Sequence, residues 1–243
     1  MEEAVDSKRE ETRESLNEPY RTLLGHLRHE SGHYYWDHLI SPHLLDPFRE
    51  LFGDERADYS EALKKHYDQG PSTQWDESFV SAYASAHPWE DWAETWAHYL
   101  NMRDTMDTWL RYGLRPADAL PYDKFSADAL LPGAKDEDGF LELVNGWVRL
   151  TPVLNELSAS MGFADFYPFV LSTKVVQKFH FVHRAIGRAA KAANQPQEDR
   201  RTTNAFPPEA AAEATDEAQG TGSHQPSTKA SQKKRTNPSQ TAA

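Results

Sequence analysis

Through most of the first 190 residues apolar positions recur at three- and four-residue steps, the period of a helix rather than of a strand. Tyr20, Leu23, Leu24, Leu27 and Tyr34 follow this spacing and predict a helix over about residues 18–40. Asn17 is its expected N-cap and Pro19 fits the first turn. Ser41-Pro42 closes it, because the residue before proline avoids the α region. Gly25 and Gly32 weaken the helix locally. Shorter helices are predicted at 44–52, 57–68 and 76–85. The next strong element opens at His87-Pro88-Trp89-Glu90-Asp91, with proline at the start, acidic residues where the helix dipole favours them, and Gly113 as the stop. Along it Trp89, Trp92, Trp96 and Leu100 form an apolar stripe expected to face the core. Glu90, Glu94, Ala97, His98 and Asn101 form a mostly polar face. Residues 114–137 read as loop, and two more helices are expected at about 137–161 and 172–189. The first fifteen residues read as an exposed charged helix. Strand signals are sparse, so the predicted fold is mainly α.

Composition divides the chain. All seven Trp and all ten Tyr lie before residue 190. From Lys191 to Ala243 there is no Leu, Ile, Val or Met, and Phe206 is the one aromatic residue. Such a segment buries too little apolar surface to offset the entropy of ordering it, so 1–190 is read as the folded domain and 191–243 as a disordered tail. The net charge of −12 argues against nucleic acid as a partner. No apolar run has membrane-spanning length, and acidic residues follow Met1 where a signal peptide would be basic, so no membrane partner and a cytoplasmic location are expected. With no cysteine, thiolate metal sites and thiol nucleophiles are excluded, and any metal must be held by histidine and carboxylate.

The chemistry lies in His29-Glu30-Ser31-Gly32-His33, an H-E-x-x-H sequence inside the first predicted helix. Residues four apart share a helix face, roughly 6 Å apart along the axis, so two imidazoles can converge on one Zn²⁺. The Glu30 carboxylate then faces the ion's open position, where it can act as general base toward water. A catalytic zinc wants three protein ligands and an open position. A glutamate on a second helix is a common third ligand; Glu94 is the candidate and Glu90 its rival. Asp91 is read as a cap or as a group orienting a ligand histidine, and His98 as structural or supporting. His26 lies too far along the axis from His33 to share one ion with it. An oxyanion donor is expected near the zinc, with Tyr83 and His87 as the candidates.

Three ordered blocks, residues 18–39 (EPYRTLLGHLRHESGHYYWDHL), 79–105 (FVSAYASAHPWEDWAETWAHYLNMRDT) and 150–172 (LTPVLNELSASMGFADFYPFVLS), resemble the bacterial zinc-binding metallopeptidases. The resemblance covers about residues 3 to 187. It implies a zincin-like domain in which His29, His33 and Glu94 bind one zinc and Glu30 is the catalytic acid/base. The cysteines of that family's N-terminal zinc ribbon are absent here. Zincins normally place a β-sheet before the active-site helix, and only about seventeen residues precede this one. The sheet is therefore expected to be reduced or missing, as in an N-terminally shortened member. The expected activity is hydrolysis of a peptide or protein substrate. The competing reading is a noncatalytic helical interaction protein that retains the zinc site for structure.

Overall fold

The structure, a computed structural model, describes residues 22–114, 122–136 and 139–194. Six helices account for most of them: α1 (Leu23–Leu39), α2 (Pro42–Phe52), α3 (Tyr59–Gln69), α4 (Pro88–Arg111), α5 (Phe140–Ser160) and α6 (Thr173–Ala193). Among the described residues there is no β-strand, as the sparse strand signals predict. No described helix is long and apolar enough to cross a membrane. The expected N-terminal charged helix, the Asn17 cap, Pro19, Tyr20 and nearly all of the predicted tail lie outside the described residues. α6 itself continues to Ala193.

The helix ends follow from local chemistry. Thr22 caps α1, its hydroxyl oxygen accepting from the Gly25 amide at 2.9 Å, and the chain leaves the helix ahead of Pro42. Asp58 caps α3 through the Glu61 amide, and Ser172 caps α6 through the Val175 amide. The predicted helix at 76–85 does not form as one element. It is two short 3-10 turns, Trp75–Glu77 and Tyr83–Ala86. Their few main-chain bonds are supplemented from the side, with the Ser81 hydroxyl accepting from the Ala84 amide.

α4 is the central element. Both of its faces are buried: Trp92 and Trp96 on one, Glu90, Ala97, His98 and Asn101 on the other. Around it pack Phe48 and Phe52 of α2, Trp147 of α5 and Phe179 and Phe181 of α6. Trp89 departs from the expected stripe, since its ring stands against His33 at 4.7 Å rather than in the core.

α1 corrects the hydrophobic pattern more strongly. Leu23, Leu24, Leu27 and Tyr34, the residues that predicted this helix, are 45%, 55%, 59% and 60% exposed. The buried face of α1 is instead Gly25, His29 and Gly32. Small and polar residues face α4 because the two backbones approach closely. A Cβ added to Gly32 would lie 2.9 Å from the Ala93 Cα and 3.2 Å from Trp96 Cβ. The approach is locked by two indole donors, Trp92 Nε1 to the Gly32 carbonyl at 2.8 Å and Trp96 Nε1 to the Ser31 hydroxyl at 3.0 Å.

Candidate metal centre

The contact at Gly32 lays the H-E-x-x-H turn of α1 across the first turns of α4. Being four residues apart, His29 and His33 present their rings together, with centroids 5.0 Å apart. Glu90, in the first turn of α4, reaches both. Its Oε2 lies 3.1 Å from His29 Nε2 and its Oε1 lies 3.6 Å from His33 Nε2. Ligand atoms of His29, His33 and Glu90 fall within 4.8 Å of one another.

Glu94, one turn further along α4, meets the other nitrogen of the first histidine. Its Oε1 lies 2.7 Å from His29 Nδ1, while its Oε2 accepts from the Ser81 hydroxyl at 2.6 Å. His98 Nε2 stands 4.0 Å from Glu94 Oε2, and His98 Nδ1 lies 2.9 Å from the Tyr167 hydroxyl. The sequence-predicted ligand and its rival are thus both at the site, on opposite sides of the His29 ring.

The electrostatics fit a cation. Glu90 is 1% exposed, its Oε2 has His29 Nε2 at 3.1 Å but no well-aligned hydrogen bond, and the buried His33 Nδ1 has no hydrogen-bond partner. A buried carboxylate oxygen without a donor is costly unless a positive charge accompanies it. Burial alone would lower the His29 pKa, but the carboxylates of Glu90 and Glu94 on either side outweigh it and raise it to about 10. Burial would likewise raise Glu90, and His29, His33 and Tyr59 beside it hold it well below the usual carboxylate range instead. The pocket therefore demands positive charge between His29 and Glu90, which a proton or a divalent ion can supply. Two imidazoles and a carboxylate are also donors suited to Zn²⁺.

The remaining candidates separate. Glu30 is exposed, and its Oε1 lies 3.7 Å from His26 Nε2. The Tyr83 ring lies 6.0 Å from that of His29, and burial followed by the charge of Glu90 keeps its phenol protonated. His87 has a capping task that occupies both ring nitrogens. Its Nδ1 accepts from the Trp89 amide and its Nε2 donates to the Ala57 carbonyl, both at 3.1 Å, leaving no donor for a reacting oxygen. Asp91 orients no histidine. It forms a fully buried pair with Lys178 of α6 at 2.6 Å, and burial raises its carboxyl to about 7 even against the pull of that ammonium.

Sequence reasoning missed Tyr59, whose hydroxyl donates to Glu90 Oε1 at 2.6 Å. It also missed Ser81, the donor to Glu94. Neither carries a sequence signal: one opens a polar surface helix, and the other lies in an irregular segment.

A profile of the family described as "Putative zinc-binding metallo-peptidase" matches residues 1–185. An uncharacterized protein of Mycobacterium bovis and its counterparts in two strains of Mycobacterium tuberculosis are each 48% identical over 202 residues. The match covers 82% of this chain and 56% of each relative, so the chain spans little more than half their length. No solved structure matches. With 185 matched residues that include the H-E-x-x-H turn and the helix bearing Glu90 and Glu94, the chain belongs to the zinc-binding metallo-peptidase family.

Proposed function

We propose that the protein is a zinc-dependent peptidase whose single metal ion is held by His29 Nε2, His33 Nε2 and Glu90. The observation that carries this reading is the convergence of two imidazoles and the buried Glu90 carboxylate, with ligand atoms within 4.8 Å of one another. Glu90 then takes the ligand position first expected of Glu94. Glu94 acts on the metal through His29: by accepting from Nδ1–H it fixes the tautomer that leaves Nε2 for the ion. Tyr59 holds Glu90 at one oxygen and leaves the other facing His29.

Zinc, when bound, supplies Lewis acidity toward a carbonyl and a water acidified toward a pKa of about 7. Glu30, next in the chain to His29 and open to solvent, removes a proton from the attacking water and passes it to the departing amine. Tyr83, kept protonated by its surroundings, is the phenol available to the developing oxyanion. The substrate is a peptide or protein. The acidic chain is unsuited to nucleic acid.

The test compares Glu30→Gln with Glu90→Gln on the purified chain. Glu30→Gln should keep one zinc per chain and lose hydrolysis of a peptide library by about 10²–10⁴-fold. Glu90→Gln should lose the zinc itself. An active Glu30→Gln enzyme refutes the mechanism. The second reading, a noncatalytic interaction protein with a structural zinc, is favoured by the exposed Leu23, Leu24, Leu27 and Tyr34 face of α1. Full zinc content with no turnover of any library peptide would establish it.

A further inference from the structure

A cavity of about 370 Å³ opens beside the last three turns of α6. Lys178, beneath the metal centre, and Arg188 in the cavity wall are ten residues apart on one helix, about 15 Å along its axis. Among the described residues, Lys135, Arg184, Arg188 and Lys191 line the cavity together with Asp136. In a chain whose net charge is −12, two arginines one turn apart on the wall of one cavity stand out.

Several features make this more than a solvated helix end. Arg184, Arg188 and Lys191 follow each other at four- and three-residue steps, so they form one strip facing the same space. Among the described residues, neither Arg184 nor Arg188 has an ion-pair or hydrogen-bond partner. Two unpaired guanidinium groups one turn apart repel each other, which a bound anion would reverse. Gly187 sits between them, and a Cβ there would meet nothing within 4 Å, so the cavity is open at its floor. Asp136 accepts from the Leu141 amide at 3.2 Å, which holds its carboxylate at the start of α5. The facing segment is tied to α6 through His180. His180 Nδ1 accepts from the Leu131 amide at 3.1 Å, and the His180 ring stacks on Phe140 at 4.9 Å.

We propose that this cavity is a binding site for the phosphate group of a small phosphorylated molecule. Guanidinium forks match the oxygens of a phosphate in parallel hydrogen bonds. A concave wall of one charge focuses the field that draws an anion in. The volume is that of a small-molecule site rather than of a bare ion's cradle. The compact strip also differs from the long basic track that a nucleic-acid backbone needs.

The test uses glycerol 3-phosphate as the soluble probe, titrated into the zinc-loaded full chain while amide and arginine Nε–H resonances are followed. Saturable shifts at Arg184, Gly187 and Arg188 are expected. Affinity should fall about tenfold or more in Arg184→Gln/Arg188→Gln, which removes both guanidinium groups. It should rise in Asp136→Asn, which keeps an acceptor for Leu141 but removes the negative charge. Lys64→Gln/Lys65→Gln, on the surface helix α3, controls for nonspecific attraction. Unchanged zinc content and thermal midpoint in the arginine variant show that the fold and the metal centre are intact. A second arm uses phosphatidylglycerol vesicles. Co-sedimentation lost in the arginine variant identifies a lipid headgroup as the source of the phosphate, and its absence beside saturable probe binding identifies a soluble molecule. No saturable shift with the probe, or equal loss in the Lys64/Lys65 control, overturns the proposal.

Discussion

Gly32 of α1 and Ala93 of α4 touch backbone to backbone: a methyl group on the glycine would sit 2.9 Å from the Ala93 Cα. The contact lies between the two histidines and one turn from Glu90, so it sets the distance across which the three side chains must meet. Replacing Gly32 by Ala raises helix propensity, which by itself would stabilise α1 by about 1 kcal/mol. The clash with immobile backbone should outweigh that gain and push the helices apart, for a net loss of about 1–3 kcal/mol. Zinc affinity should drop with it. Urea unfolding and a competitive zinc titration on Gly32→Ala check both.

Glu90 and Glu94 should separate by the severity of their loss. Glu94→Gln keeps an oxygen acceptor near His29 but removes the charge, and it should weaken zinc binding about 10–100-fold. Glu90→Gln should abolish stoichiometric binding, and Tyr59→Phe should weaken it less than Glu94→Gln. Equal affinities for the two glutamine variants would refute the division of roles. Zinc affinities measured against a fluorescent chelator decide.

The pH dependence follows from His29, whose folded pKa is raised from 6.5 to about 10. A raised pKa on a base stabilises the fold fully below the unfolded value and loses that contribution as pH rises through the folded one. Chelator-treated protein should therefore weaken steadily between about pH 6.5 and 10, beyond the change seen in His29→Gln. The zinc-loaded protein should not, since the ion supplies the charge that the proton supplied. Zinc binding at pH 8 should release protons, read from calorimetry in buffers of differing ionisation heat.

Lys178 ties three parts of the molecule to one ammonium group. It donates to Asp91 and to the Ser78 carbonyl, each at 2.6 Å, and its charge lies 4.3 Å from the centre of the Phe79 ring. Asp91 adjoins Glu90, and Ser78 begins the segment that carries Ser81 and Tyr83. Lys178→Met leaves a buried carboxylate alone and should cost about 3–5 kcal/mol. Lys178→Met/Asp91→Asn should recover part of that stability. Denaturant midpoints of the single and double variants test the coupling.

Much of this was legible in the chain. Helix period, proline and glycine stops and the scarcity of strand signals predict an α-helical domain, because these depend on neighbours in sequence. His29 and His33 are legible for the same reason, since a four-residue spacing on one helix brings two rings together whatever surrounds them. Which glutamate meets them is different. Glu90 and Glu94 lie on one face of α4, and which ring nitrogen each one reaches follows from where α1 crosses that face and at what separation. That crossing is decided by Gly32 and the indoles of Trp92 and Trp96, which lie 60 or more residues apart in sequence. The same contact turns the Leu23, Leu24, Leu27 and Tyr34 stripe outward, against the rule that the apolar face of a helix is the buried one. A periodic pattern reports what one helix can bury. Only the packed pair decides what it does bury, because a close backbone approach selects for small side chains before apolar ones.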